Sequence, residues 1–367
     1  MDISRPALGA GLCELLGIRH PVLLAGMAGG PTSPELVAAV SEAGGLGAFG
    51  LTGMGADAAR AAVRRAVGLT SAPIGVNVLV APATEPDPSG GDPFAAVRPL
   101  REELGLPPTP APRAEQPPDA RRLVTMALEE GARVVSVGLG DPGAVADIAR
   151  DAGAPLVAMA ASVADAVRAV ESGADVIVAQ GSEAGGHRST FDVPRDGTVP
   201  LVGTMALVPQ VVDAVDVPVV AAGGIMDGRG LAAAIALGAQ GVQMGTAFLV
   251  AAESGAPEGY RRRVARARDT DTVITRAVSG RPARGIRNRL IETLESAGPP
   301  ALGYPAQNAA SAELRAAAAR ADEPELLALW AGQAAGLAGA PRPAAEILRA
   351  AVDEAVAVIR RLADAAG

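Results

Sequence analysis

Eight short apolar runs rich in β-branched residues recur along the chain, at 22–26, 46–50, 74–80, 133–139, 155–160, 175–179, 219–222 and 241–249. Ala-rich stretches with amphipathic spacing separate them, at 34–43, 56–67, 120–130, 143–151, 163–172, 205–215 and 230–237. Runs that are apolar at every position bury both faces, and such strands with a helix between each pair imply a parallel sheet covered by helices. Eight units are the number that closes a (β/α)8 TIM barrel, which this pattern favours over an open doubly wound sheet. The helix ends keep the same rhythm. Thr32, Ser33 and Pro34 open one helix, Ser162 caps another, and Gly44, Gly153, Gly173 and Gly238 close four more.

Two segments break the rhythm. Residues 81–118 are dominated by Pro, Gly and acidic side chains and read as an insertion after the third strand, either a lid over the strand ends or a surface excursion. Residues 269–367 show helical patterns at 309–321, 324–337 and 344–362, and are expected to form a helical extension packed on a barrel spanning 1–268.

Composition excludes several classes of function. A net charge of −8 offers no global basic field for nucleic acid or anionic lipid, so neither partner is expected. Cys13 is the single cysteine, which rules out an internal disulfide framework and fits a reducing, cytoplasmic compartment. With two histidines and no Cys-x-x-Cys, no metal site is expected. There is no lysine, all 32 basic residues being arginine, which excludes Schiff-base mechanisms because those need a side-chain amine.

A barrel of this kind carries its site at the C-terminal ends of the strands, where Met27, Asn77, Gln180, Glu183, His187, Gly223, Gly224, Gln243, Met244, Gly245 and Thr246 are expected to converge. The loops after strands seven and eight, AGGIMDGRG and QMGTAFL, offer glycine amides near helix N-termini and suit a phosphorylated ligand. Asn77 and Gln180 end apolar strands, where an amide serves either a polar heterocycle or nearby backbone. His187, in a Gly-Gly-His turn at the rim, suits a general base or, as imidazolium, the stabilisation of a bound anion. Glu183 and Asp192 are expected to fix its loop or its tautomer, while His20, ahead of strand one, belongs at the opposite end. The stretch GLGAFG at 45–50 matches the dinucleotide fingerprint in letters only, because a helix precedes it and the strand runs through it.

These motifs together resemble the FMN-dependent nitronate monooxygenases, formerly called 2-nitropropane dioxygenases, in their larger bacterial class. The resemblance rests on MAGGPTSPELVAAVSEAGGLG from Met27, GVNVLV from Gly75, AQGSEAGGHR from Ala179, GGIMDGRGLAAAIALGAQGVQMGTAFL from Gly223, and YPAQN and LWAGQ in the tail. It implies FMN with its phosphate on Gly224, Gly245 and Thr246, and its ring against Met27, Asn77, Gln180 and Gln243. Ala25, Gly26, Gly185, Gly186, Gly223 and Met244 complete the implied cofactor contacts, and His187 matches the catalytic histidine. The implied reaction oxidises alkyl nitronates such as propionate 3-nitronate with dioxygen to a carbonyl compound and nitrite, through a flavin semiquinone, in a monomer or homodimer.

The chain departs from the family pattern at Gly26, usually proline, at Ser189 and Thr190, where glycine is common, and in a tail motif without its usual lysine. Tyr304 of YPAQN belongs either near the flavin or packed under the tail. FMN-dependent enoyl-acyl-carrier-protein and quinone reductases, which take electrons from NAD(P)H, resemble the chain too. A non-catalytic flavin-binding or docking protein is the reading from another class.

Overall fold

Side chains alternate across each strand, and the alternation sorts the apolar runs into two cores. Val22 and Leu24 face an outer layer shared with the helices, while Leu23 between them faces inward. The same division holds for Leu156 against Val157 and for Val219 against Val220. The computed structural model describes residues 8–80, 92, 94–109, 119–194, 197–298 and 302–366.

Eight parallel strands form the barrel: β1 (Val22–Leu24), β2 (Gly47–Gly50), β3 (Ile74–Leu79), β4 (Val134–Gly138), β5 (Leu156–Ala160), β6 (Val176–Gln180), β8 (Val219–Ala222) and β9 (Gly241–Met244). Their order runs β1-β9-β8-β6-β5-β4-β3-β2. The sheet closes on itself where Leu23 bridges Leu46, with Leu24 N donating to Leu46 O at 2.9 Å. Between β6 and β8 lies a two-residue strand, β7 (Gly186–His187), which leaves the barrel and joins β10 (Thr272–Thr275) and β11 (Ala283–Ile286) in a small antiparallel sheet.

The helix-end residues do what their types predict. Ser33 Oγ accepts from Leu36 N at 3.0 Å and Ser162 Oγ from Asp165 N at 3.1 Å. Gly44, Gly153, Gly173 and Gly238 all adopt positive φ, as helix-ending glycines do. A helix absent from the sequence reading, Ala10–Leu16, seals the N-terminal mouth of the barrel with Leu12 and Leu16 against Leu23, Leu46, Val134 and Val157. Each fully buried leucine stabilises this plug by about 1.5–3 kcal/mol. At the outer surface, the C-terminal helix Ala344–Ala366 places Ile347, Leu348, Val352 and Ala355 in the same core as the barrel's helices. It crosses the helix Gly228–Ala236 at Gly228, where a Cβ would lie 2.4 Å from Ala351 O.

Three expectations need correction. The run at 241–249 is not one strand: β9 stops at Met244 and a short helix, Thr246–Leu249, follows. The pattern at 324–337 is not a helix but two 3-10 turns, Pro324–Leu326 and Gln333–Leu337, joined by extended chain. The tail is also not wholly helical, since it contributes β10 and β11, whose short alternating runs lie far from the strand they complete. Of the insertion at 81–118, most lies outside the described residues. The described part holds a helix, Arg98–Glu103, whose Leu100 joins the tail's core and whose buried Arg101 donates to Glu313 Oε2 at 2.7 Å. No helix among the described residues is long and apolar enough to cross a membrane.

Candidate active site

Towards the C-terminal ends of the strands the inward positions turn polar. Asn77, Ser136, Gln180 and Gln243 occupy them, all buried. Asn77 and Ser136 are register partners across β3 and β4, and Asn77 Nδ2 donates to Ser136 Oγ at 2.9 Å. Among the described residues, Gln243 Nε2 meets one weak acceptor, Met159 Sδ, at 3.9 Å.

Around this layer the loops bring most of the expected residues together. A Cβ on Gly245 would lie 3.4 Å from Ala25 Cβ and 3.7 Å from Met27 Sδ, and one on Gly26 would lie 2.5 Å from Asn77 Cβ. Gly223 and Gly224 have φ of 111° and 72°, and Gly224 would meet Glu183 no closer than 3.6 Å. Thr246 Oγ1 accepts from Gly332 N at 3.0 Å, and Gly185 packs so closely on Ala331 and Gly332 that a side chain there would strike their backbone. Met244 is the exception. Its side chain belongs to the outer core, so only its backbone faces the site's side of the strand, and its carbonyl accepts from Ala25 N at 3.0 Å.

Beyond β6 the chain turns back through Gly186, φ 79°, to present His187. Gln180 holds this return: its Nε2 donates to His187 O at 2.9 Å, and its Oε1 accepts from Ser189 N at 2.8 Å and from Arg188 Nη1 at 3.1 Å. Of its two possible employments, nearby backbone is the observed one. Arg188, fully buried, also donates to Gln180 O at 3.0 Å and Gly181 O at 2.6 Å, and burial pushes its pKa down to about 10. From outside the barrel, β11 pairs Ala283 with His187 and Arg284 with Gly186.

The imidazole sits edge-on to Tyr304, ring centroids 5.4 Å apart, and tilted against Trp330 at 5.7 Å, with Nε2 2.9 Å from Ser279 Oγ. Desolvation by these neighbours, then the charges of Arg281 and Arg315, push its pKa from 6.5 down to about 3. The ring is therefore neutral near pH 7, with a lone pair that can accept a proton and no standing imidazolium. Glu183 fixes the loop as expected, its two carboxylate oxygens accepting from Thr204 N at 3.0 and 2.9 Å, at the start of the helix Thr204–Val212. Asp192 does not reach His187; it pairs with Arg168 at 2.8 Å. His20 donates its backbone N–H to Gly44 O near the start of β1, at the far end.

Ser279, Arg281, Arg284 and the role of Trp330 escaped the sequence reading. The signal available was compositional: Trp330 is the only tryptophan, and Ser279 and Arg281 lie in a Ser-Gly-Arg-Pro turn. Among the described residues, no group of three or more His, Cys, Asp or Glu is placed to hold a metal ion.

A family model described as nitronate monooxygenase matches residues 10–354. A probable nitronate monooxygenase of Staphylococcus saprophyticus is 40% identical over 321 residues, covering 87% of this chain and 90% of that one. One of Staphylococcus aureus (strain Newman) is 41% identical over 329 residues, 89% and 92% of the two chains. Among solved structures, the nitroalkane oxidase from Streptomyces ansochromogenes aligns with a TM-score of 0.86 at 35% identity, covering 95% of this chain and 99% of that one. FabK from Thermotoga maritima aligns with a TM-score of 0.76 at 31% identity, covering 96% and 98%.

Proposed function

The chain belongs to the nitronate monooxygenase family, and from that premise we propose that it oxidises alkyl nitronates such as propionate 3-nitronate with dioxygen, giving a carbonyl compound and nitrite. The observation that carries this reading is the neutral His187, boxed between Tyr304 and Trp330 at the rim of a polar-lined barrel, with buried arginines around it.

FMN is the cofactor we assign, and the residues present suit it. Gly224 has positive φ and no atom within 3.5 Å of an added Cβ, which leaves its backbone open to close approach by a phosphate. Gly245 and Thr246 follow β9, the strand paired with β8, while Asn77 and Gln243 offer amides to a polar heterocycle. Bound there, FMN supplies the electron acceptor for the nitronate and the route to dioxygen. The chain's own part is to orient and to keep charge favourable. Gln180 and β11 fix the height of His187, the aromatic pair excludes water from one flank, and Arg281 and Arg315, whose charges reach the imidazole, favour an anionic substrate.

The likeness to FabK keeps a second reading, reduction by NAD(P)H, open to the same experiment. Purified flavoprotein is mixed anaerobically with propionate 3-nitronate and, separately, with NADPH. Flavin bleaching by the nitronate alone supports the proposal; rapid bleaching by NADPH alone replaces it with the reductase; a protein that takes up no FMN defeats both.

A further inference from the structure

We propose that Ser279 is a positioning residue that locks His187 as the Nε2–H tautomer and so makes Nδ1 its basic atom. This rests on the reading of His187 as the site's base. Ser279 is fully buried in the turn between β10 and β11. Its Oγ lies 2.9 Å from His187 Nε2, 3.1 Å from Arg281 O and 3.4 Å from Arg281 N.

A hydroxyl has one proton and two lone pairs, whereas the Arg281 carbonyl can only accept and its N–H can only donate. If the proton goes to Arg281 O, the lone pairs receive Arg281 N–H and His187 Nε2–H, and all three contacts are attractive. If it goes instead to His187 Nε2, Ser279 Oγ and Arg281 O face each other at 3.1 Å with no proton between them. Ser279 and Arg281 are both fully buried, so that repulsion is only weakly screened. The satisfied arrangement puts the imidazole proton on Nε2 and leaves the lone pair on Nδ1.

The turn is held firmly enough to impose this choice. Gly280 has φ 85°, and a Cβ there would lie 2.6 Å from Gly303 C and 2.7 Å from Tyr304 N. Gln307 Nε2 donates to Ala277 O at 3.2 Å, Ser311 Oγ to Val278 O at 3.2 Å, and Arg281 Nη2 to Leu139 O at 3.1 Å. Gln180 and β11 hold His187 from the other side. The distance between hydroxyl and ring is thus set by backbone, and any proton that His187 accepts arrives at Nδ1.

The test is 15N NMR of the FMN-loaded protein labelled at histidine, its two imidazoles assigned with His20→Gln. His187 is expected in the Nε2–H form, and Ser279→Ala is expected to shift its tautomer ratio roughly fivefold to tenfold towards Nδ1–H, the loss of one net hydrogen bond. Ser279→Thr, which keeps the hydroxyl, should return the ratio towards that of the unsubstituted protein. A native His187 in the Nδ1–H form overturns the proposal, as does a Ser279→Ala protein with unchanged melting temperature and unchanged ratio. The ratio is read without turnover, so it stands or falls separately from the catalytic reading, which His187→Ala tests by activity.

Discussion

The barrel and the layer above its C-terminal ends are built on opposite principles. Each barrel strand repeats one rule, outward residues to the helices and inward residues to the central core, so Val22, Leu156 and Val219 do the same work in different places. The upper layer has no repeat. His187 is placed by one carboxamide from β6, one hydroxyl 92 residues away and two aromatic rings of the tail. A repeated rule tolerates local loss, whereas a set of single contacts does not, so substitutions in the upper layer should change chemistry and those in the barrel should change stability.

The sharpest way to break that contrast is His187→Ala. Turnover of the nitronate or of a nitroalkane should fall 10²- to 10⁴-fold, the usual contribution of a positioned acid or base, with FMN still bound and only about 1 kcal/mol of stability lost with the Ser279 hydrogen bond. Steady-state kinetics beside a thermal melt decide it; an equal loss of both would mean that the two regions are one cooperative unit.

Gly47→Ala is the barrel's counterpart. A Cβ at Gly47 would lie 2.0 Å from Val37 O, so β2 or its helix must shift, at a cost of about 3 kcal/mol. Urea unfolding should show that loss, and the folded fraction should keep nearly normal activity per flavin. A variant that is stable but inactive would show that the barrel's spacing sets the site directly.

The two regions were also unequally legible. Strands with two buried faces and glycines that end helices are local signals, and they placed β1 to β6 and β8 within a residue or two. Gln180 shows where legibility stops: its type and its place at a strand end were readable, but its partner, the backbone of 187–189, depends on a hairpin no local pattern describes. Ser279 was invisible for the same reason, since its meaning comes from β11 pairing with β7. The 324–337 stretch has helical spacing, yet its backbone serves other ends: Trp330 O accepts from Tyr260 Oη at 2.6 Å and Gly332 N donates to Thr246 Oγ1 at 3.0 Å. Tertiary demand overrode the periodicity.

Acid exposes the contrast differently. His187 titrates near 3 in the folded chain and near 6.5 when unfolded. The unfolded state therefore binds more protons through that window, and the histidine's contribution to stability, complete above 6.5, is lost as pH falls towards 3. The slope it adds is at most about 1.4 kcal/mol per pH unit. Urea unfolding at successive pH values should show a shallower decline for His187→Gln than for the native protein. Parallel curves would place the histidine in water and remove the desolvated box around it.

The finest comparison sets two helix N-termini against each other. Ser162 caps a barrel helix through Asp165 N, and Glu183 supplies a carboxylate to Thr204 N at the head of the helix Thr204–Val212. The chemistry is similar, so Ser162→Ala and Glu183→Ala should each cost about 1 kcal/mol of stability. Their surroundings differ. Ser162 fixes only its own helix, whereas Glu183 also offers its carbonyl to Gln333 N at 2.9 Å and flanks Gly224, tying the His187 loop, the tail and the glycine loop to one residue. Activity should therefore survive Ser162→Ala and fall about tenfold in Glu183→Ala, the effect of a catalytic group displaced by a fraction of an ångström. Equal activities in two equally destabilised variants would mean that His187 is held by Gln180, Ser279, β11 and the aromatic pair without help from Glu183, and would shrink the single-contact region to the hairpin that carries it.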